Sequence, residues 1–146
     1  MSEETRFEAG LDEAIADGRP VRSFLDEEET PVAVLRGTML DSVRGRGDDR
    51  ERSRTMTAAP GGIVALVTDR RVRFLVDRGD RVEETTVPSS AVDETVVETM
   101  GDAVRLTVRT EEGPGYTFYP DEDAAGAVRA AADALGSAGA DDREDA

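Results

Sequence analysis

The chain of 146 residues contains no cysteine, histidine, lysine or tryptophan. Without cysteine it has no disulfide framework, no thiolate nucleophile and no cysteine-bound zinc or iron–sulfur cluster. Without histidine and lysine it lacks a Ser-His-Asp triad, histidine metal sites and a lysine Schiff base. Carboxylates, Tyr, Ser, Thr and Arg remain for catalysis. No two acids can be shown from sequence to share a cleft. We therefore predict a non-catalytic protein without cofactor or metal; an enzyme built on carboxylates is an alternative.

Aromatic residues and long apolar runs are also scarce. Four Phe and two Tyr offer little for a base-stacking nucleic-acid platform. The longest uninterrupted apolar run, Ile63–Val67, is far shorter than the roughly 18–20 residues of a membrane span. The first residues, Met1–Glu4, are acidic and lack the basic and apolar regions of a signal peptide. These features predict a soluble, cytoplasmic protein without a transmembrane segment.

Acidic residues outnumber basic ones by 33 to 18, so the net charge is −15, and every basic residue is Arg. This excess disfavours nucleic acid as a partner and peripheral contact with an anionic membrane, because like charges repel. Abundant acids, Arg in place of Lys and many small residues resemble the proteome of a salt-in halophilic archaeon. An ordinary acidic cytosolic protein from a high-GC genome is the alternative. The acidity lies mostly in the flanks, because residues 32–119 hold fifteen acids and thirteen Arg.

Residues 1–26 are predicted to be an N-terminal helix and an acidic lead-in. Apolar residues at Phe7, Leu11 and Ile15 have helical spacing over residues 5–17, and Gly18 and Pro20 end the pattern. The acidic run that follows, Glu27–Thr30, is interpreted as a solvated turn.

The middle of the chain is predicted to form short strands joined by turns. Alternation is clearest where Val72, Phe74 and Val76 share one face, and again where Val104, Leu106 and Val108 do. A long polar loop, rich in Arg, is predicted over residues 44–60. The predicted strands are 32–43, Ile63–Thr68, Val72–Asp77, Val82–Val87, Thr95–Glu98, Ala103–Thr110 and Tyr116–Tyr119.

A second helix is predicted near the C-terminus, between a cap at Asp121 and a stop at Gly136. Its apolar stripe suits the open end of a bent sheet. Seven strands followed by one such helix predict a mainly β fold over residues 27–136. This is a PH-like seven-stranded antiparallel bent sheet or barrel capped by a C-terminal α-helix, with a short N-terminal helix. Residues 137–146 are predicted to be a disordered acidic tail. The stripe comprises Ala124, Val128, Ala131, Ala132 and Leu135.

The segment Gly62–Val76 resembles the second-to-third strand hairpin of the bacterial-type, YokE-like PH domains. In that family a strand ends in Thr-Asp/Asn-Lys/Arg-Arg, as Thr68-Asp69-Arg70-Arg71 does here, and Val87–Val92 resembles the next segment, in which a strand ends in Pro (here Pro88). The resemblance covers about residues 27–135 and implies an acidic, halophile-like version of that family. The Arg-rich loop is longer than usual, and Ala91 stands where a larger apolar residue is usual.

The four-residue motif Thr68-Asp69-Arg70-Arg71 and Pro88 are interpreted as architectural. Thr68 and Asp69 can hydrogen-bond their own turn, and Arg70 or Arg71 can pair across it. Such a motif marks a fold and names no ligand.

Basic residues in the Arg-rich loop form the candidate anion-binding site. On a PH-like barrel this loop and the turn holding Arg78 and Arg81 lie at the same open end, and Arg side chains suit phosphate. In ~1 M salt the Debye length is about 3 Å, so exposed Arg–phosphate attraction is largely lost. A solvated loop with internal charge balance is the alternative. The loop residues are Arg44, Arg46, Arg50, Arg52 and Arg54.

The function predicted from the sequence is a non-catalytic interaction module of unknown partner. Strand addition to an exposed sheet edge favours a protein partner or self-association into a homo-oligomer. Binding of an anion or a lipid headgroup through the Arg-rich loop is the alternative.

Overall fold

The computed structural model describes residues 11–15, 19–44, 50–59, 61–100, 103–111, 113–120 and 127–135. A helix, α1, occupies residues 127–135, and short 3₁₀ turns occupy Val21–Phe24 and Ser89–Ala91. The strands within the described residues are β1 (Ala14–Ile15), β2 (Arg19–Pro20), β3 (Pro31–Arg44), β4 (Glu51–Met56), β5 (Ile63–Thr68), β6 (Arg71–Asp77), β7 (Val82–Pro88), β8 (Val92–Met100), β9 (Ala103–Thr110) and β10 (Gly115–Pro120).

Seven strands form one antiparallel path in the order β7-β6-β5-β3-β10-β9-β8. This agrees with the predicted seven-stranded bent sheet. The prediction of a closed barrel is not met, because β7 and β8 end the path and do not pair with each other. An eighth strand, β4, pairs with β3 off this path.

The long strand β3 changes partners at Gly37. Pro31–Gly37 pairs with β5, whereas Met39–Arg44 pairs with β4 on the same edge. A Cβ atom built on Gly37 would lie 2.2 Å from the carbonyl oxygen of Tyr119 on β10. Only glycine permits this close approach of two backbones.

The sheet bends around one main core. Val72, Phe74 and Val76 belong to it, as the alternation of β6 predicts, and Leu106 and Val108 confirm the same prediction for β9. The ring of Phe74 lies 5.5 Å from that of Tyr116 and 6.2 Å from that of Phe118. Helix α1 covers this core with three fully buried side chains, those of Val128, Ala131 and Leu135. Residues 121–126 of the predicted helix and the predicted tail 137–146 lie outside the described residues.

A second apolar cluster lies on the outer face of β5 and β6. There Leu11, Ile15, Val21 and Phe24 from the N-terminal segment pack against Val64, Leu66 and Leu75. Both faces of β5 are therefore covered, and all its residues are buried.

Part of the predicted N-terminal helix is wrong. Ala14 and Ile15 form β1, which pairs with β2, and residues 11–12 are the part of 5–17 described as helical. Packing on the sheet outweighs the helical spacing of Leu11 and Ile15, because both side chains are buried in this cluster. Residues 1–10 and 16–18 lie outside the described part.

The predicted loop over residues 44–60 is also partly wrong. Glu51–Met56 is a strand that continues the sheet beside the end of β3. Its side chains are exposed apart from the half-buried Thr55, so neither face carries the apolar alternation that marks a strand. Pairing with β3 forms this strand, and burial contributes little. Residues 45–49 and 60 are not among those described.

Candidate functional site

The outer face of β9, β10, β3 and β4 carries polar side chains from every strand. The register places Thr117 of β10 opposite both Thr107 and Asp41. The hydroxyl oxygens of Thr107 and Thr117 lie 3.0 Å apart. Because alternate residues share a face, Arg105 and Arg109 of β9 and Arg52 and Arg54 of β4 lie on the same surface.

This surface forms an open groove of about 1490 Å³ between the β3–β4 hairpin and the turn from β9 to β10. We call it the outer groove. Its charged lining residues are Arg44, Arg50, Arg52, Arg54, Arg105, Arg109, Asp41, Glu98 and Glu111.

One cluster in the groove is internally neutralised. Arg54 donates two hydrogen bonds to the carboxylate of Asp41, Nε to Oδ1 at 2.8 Å and Nη2 to Oδ2 at 3.0 Å. The hydroxyl of Tyr119 donates a third, at 2.8 Å to Oδ2. The hydrogen bonds from Arg54 and then Tyr119 hold the pKa of Asp41 below its usual value. Asp41 therefore stays ionised and fixes Arg54 against the groove floor.

Two further Arg side chains also have acidic partners. Arg105 donates to Glu98 at 2.6 Å, and Arg109 donates to Glu94 at 3.2 Å. The hydrogen bond from Arg105 lowers the pKa of Glu98. The paired positive charges therefore lie along β9 and β4, on the floor of the groove.

Three Arg side chains at the hairpin differ from these. Within the described residues, Arg44, Arg50 and Arg52 have no carboxylate within 4.0 Å, and all three are exposed. The groove's Arg side chains that lack a carboxylate within 4.0 Å among the described residues therefore lie along the hairpin.

The predicted anion-binding residues do not all come together. Arg78 pairs with Glu83 at 3.1 Å and donates to the Met56 carbonyl at 3.2 Å, at the far end of β4 from Arg50. Arg81 lies near Asp80 and Glu83, at 3.5 and 3.6 Å. Neither lines the outer groove. Arg46 lies outside the described residues.

The motif Thr68–Arg71 lies in the turn between β5 and β6. The backbone N–H groups of Arg70 and Arg71 donate to Thr68 Oγ1 at 3.1 and 3.2 Å. Asp69 accepts a hydrogen bond from the Thr30 N–H at 2.9 Å, and Ser89 donates its hydroxyl to the Arg70 carbonyl at 2.7 Å. Pro88 is the register partner of Arg71. All these contacts are within the chain.

The same turn holds a buried ion pair that the sequence analysis missed. The side chain of Glu29, predicted to be solvated, is 2% exposed and accepts two 2.8 Å hydrogen bonds from Arg71. Thr68 and the Asp26 N–H donate to it as well, at 2.8 and 3.0 Å. The hydrogen bonds from Arg71 lower the pKa of Glu29 to about 2. Local sequence carries no signal for this pair, since its members are 42 residues apart.

A smaller, more apolar pocket of about 340 Å³ lies beside the outer groove. The groove and the pocket share lining residues in the turn from β9 to β10, among them Pro114 and Tyr116. Val87, Pro88 and Ala91 form its other wall. We call it the apolar pocket.

Within the described part of the chain, no three acidic side chains are grouped so that they could hold a metal ion. Nor does any helix described there have the length and apolar character needed to span a membrane.

Comparison with known structures identifies the fold. A solved structure titled "Vps36 N-terminal PH domain" matches with a TM-score of 0.53, over 87% of this chain and 92% of that one. The fold is PH-like. The two sequences are 13% identical, so the likeness concerns the PH-like fold and not the ligand. No protein-family model matches the chain, and no curated protein matches it significantly.

Proposed function

We propose that this PH-like chain is a non-catalytic interaction module that binds a protein partner at the outer groove and the adjoining edge of β4. One observation carries the proposal: another described segment packs on one outer face of the sheet and not on the other. The face of β5 and β6 is covered by the N-terminal segment. The face of β9, β10, β3 and β4 is polar and concave, and within the described residues no other segment packs over it.

The edge of β4 supports a protein partner. β4 pairs with β3 on one side, and no described strand pairs with its other side. A strand in this position offers backbone donors and acceptors to an extended segment. Met56, at the end of β4, is 59% exposed, which makes it an exposed large apolar residue next to this edge.

Self-association through β4 is disfavoured by charge. Two copies of β4 pairing antiparallel about a two-fold axis bring residues of the same face opposite each other. Arg52 and Arg54 share one face of β4, so the registers centred on Arg52, Ser53 or Arg54 place Arg opposite Arg. Like charges in that arrangement destabilise the pairing. We therefore propose a different protein as the partner of this edge.

Binding of an anion or a lipid headgroup is the second candidate function. It is favoured by the lack of a described carboxylate within 4.0 Å of Arg44, Arg50 or Arg52. Against it stand the carboxylates of Asp41, Glu98 and Glu111 in the same groove, and the loss of exposed charge attraction in high salt.

We also infer the subtype and setting from the sequence. Thr68–Arg71 supports the YokE-like, bacterial type of PH-like domain, and the net charge of −15 with Arg as the basic residue supports a salt-adapted cytoplasmic protein.

Site-specific photo-crosslinking in cells tests the proposed function. A photoreactive amino acid at Ser53, on the exposed wall of the groove, is compared with one at Arg81, which is exposed outside it. We expect a discrete protein adduct from Ser53 that is absent from Arg81. Equal adducts from both positions, or none from Ser53, would contradict the proposal.

Liposome co-sedimentation tests the second candidate. Anionic vesicles are mixed with the full chain over a series of KCl concentrations up to about 1 M, where the Debye length is about 3 Å. A variant with Gln at the described Arg44, Arg50, Arg52 and Arg54 is the comparison. Sedimentation of the wild type alone, persisting in molar KCl, would establish the headgroup site in place of the protein partner.

A further inference from the structure

The outer groove and the apolar pocket together form one continuous surface, of which one part is charged and the other is apolar. They meet at the turn from β9 to β10, where Pro114 and Tyr116 line both. In the register of the sheet, Gly115 lies opposite Val43, whose partner on the other side is Arg52. Arg52 therefore lies across about two strand spacings, roughly 10 Å, from the mouth of the apolar pocket.

The spacing of the positive charges suits an extended chain. Arg50 directly precedes β4 and Arg52 lies in its exposed start, so in extended conformation their Cα atoms are separated by about 7 Å. Alternate side chains of an extended peptide have the same separation. Acids at alternate positions of such a peptide can therefore face successive Arg side chains.

The rest of the lining selects against a densely charged ligand. Asp41, Glu98 and Glu111 retain negative charge in the groove, and Thr107 and Thr117 contribute neutral hydroxyls. A phosphate group concentrates its charge at one point and would meet these carboxylates, whereas spaced carboxylates can avoid them. The apolar pocket adds a place for a large aliphatic or aromatic side chain, since about 340 Å³ is within the range of ligand pockets.

We propose that the groove binds an extended acidic segment of a protein partner, with a large apolar residue seated in the apolar pocket. Its carboxylates lie about three to five residues from that apolar residue, the number that spans roughly 10–15 Å in extended conformation. This inference rests on the proposed function and names the chemistry of the partner.

Fluorescence anisotropy with synthetic peptides and the full chain tests the inference. The probe is labelled Leu-Ser-Ser-Asp-Ser-Asp-Ser, compared with one in which Asn replaces both Asp and one in which Ser replaces Leu. In about 0.1 M KCl, where the Debye length is about 10 Å, we expect the Asn peptide to bind about tenfold more weakly. We expect the loss of Leu to weaken binding by about five- to tenfold, since a buried apolar side chain is removed.

Matched variants of the protein locate the binding. Arg50→Gln with Arg52→Gln should weaken the Asp peptide by about three- to tenfold and leave the Asn peptide unchanged. Arg70→Gln with Arg81→Gln changes the net charge equally at exposed positions outside the groove, and should have no effect. Ala91→Gln, or Thr86→Gln at an exposed wall position, adds a polar side chain without charge and should weaken the Leu peptide and not the Ser peptide.

Several outcomes would overturn the inference. Equal losses of affinity for the Asp peptide in the Arg50/Arg52 and Arg70/Arg81 double variants would mean unspecific charge attraction. Equal binding of the Leu and Ser peptides would exclude the apolar pocket. Peptides that fail to bind while the Ser53 protein adduct persists would overturn the acidic segment and leave the proposed function standing. Failure of both would overturn both. Competition of anionic vesicles with the peptide, lost in the Arg50 and Arg52 variant, would assign the groove to lipid.

Discussion

At the scale of single residues, Glu29 links the segment before β3 to the turn between β5 and β6. Its carboxylate accepts hydrogen bonds from Arg71, Thr68 and the Asp26 N–H. Arg71 also pairs with Asp26. Because the Glu29 side chain is 2% exposed, removal of Arg71 leaves a buried carboxylate without its main partner, whereas Arg71 keeps Asp26 when Glu29 is removed.

We predict that this pair makes stability depend on pH below about 4.5. The folded pKa of Glu29 is about 2, against an ordinary value of 4.5. A lowered folded pKa contributes stability that is present above pH 4.5 and is lost as the pH falls towards 2. The contribution is on the order of 3 kcal/mol at neutral pH. Urea unfolding of wild type and Glu29→Gln from pH 7 to pH 2 measures it. The variant should be less stable at pH 7 and should converge with wild type near pH 2; parallel curves would contradict the prediction.

A second residue-scale prediction concerns Asp41 in the groove. The hydrogen bonds from Arg54 lower the pKa of Asp41 more than the hydrogen bond from Tyr119 does. Arg54→Gln should therefore raise the Asp41 pKa more than Tyr119→Phe does. In both variants this pKa should lie closer to its ordinary value than it does in the wild type. Carboxylate carbon shifts followed by NMR across an acid titration measure this. The reverse order would mean that the hydroxyl, not the guanidinium, holds the carboxylate.

At the scale of elements, the close approach of β3 to β10 depends on Gly37. A methyl group there meets the backbone oxygen of Tyr119 at 2.2 Å, and backbone cannot rotate away as a side chain can. We predict that Gly37→Ala costs about 2–3 kcal/mol of unfolding free energy, in the range of overpacked sites. Gly115→Ala is the control, because its nearest contact would be an ordinary 3.7 Å. Equal losses in chemical denaturation of the two variants would show that this close approach tolerates a side chain.

Elements also differ in how far the sequence predicts them. β6 is readable because Val72, Phe74 and Val76 alternate towards a core, a signal contained in a few residues. β4 cannot be predicted in this way, because its side chains are largely exposed and show no apolar alternation. Its pairing with β3 determines its conformation. The Glu29–Arg71 pair is equally hidden, because a contact across 42 residues depends on the whole sheet. The groove has a part that the local pattern predicts and a part that it does not. The two faces of β9 follow from its alternation. The distance of Arg78 and Arg81 from the groove depends instead on the pairing of β4 with β3, which forms the hairpin.

At the scale of the whole molecule, the net charge of −15 opposes the compact state. The ion pairs that offset this repulsion are mostly exposed, with Arg54, Arg70, Arg81 and Arg109 each more than half exposed. Exposed pairs contribute about 0–1 kcal/mol each and weaken in salt. The repulsion among the excess acids acts over many pairs and also weakens in salt. Salt therefore lowers stability by weakening the ion pairs and raises stability by weakening the repulsion.

We predict that the repulsion is the larger effect at neutral pH. Thermal unfolding at pH 7 should show the midpoint rising by roughly 3–10 °C between about 0.1 and 1 M KCl, as the Debye length falls from about 10 to 3 Å. The same scan near pH 4.3, where the sequence has no net charge, is the internal control and should show a much smaller rise. A midpoint that falls with KCl at pH 7 would mean that the ion pairs dominate. In that case high salt would destabilise the fold, and the acidic composition would not be an adaptation of its stability to high salt.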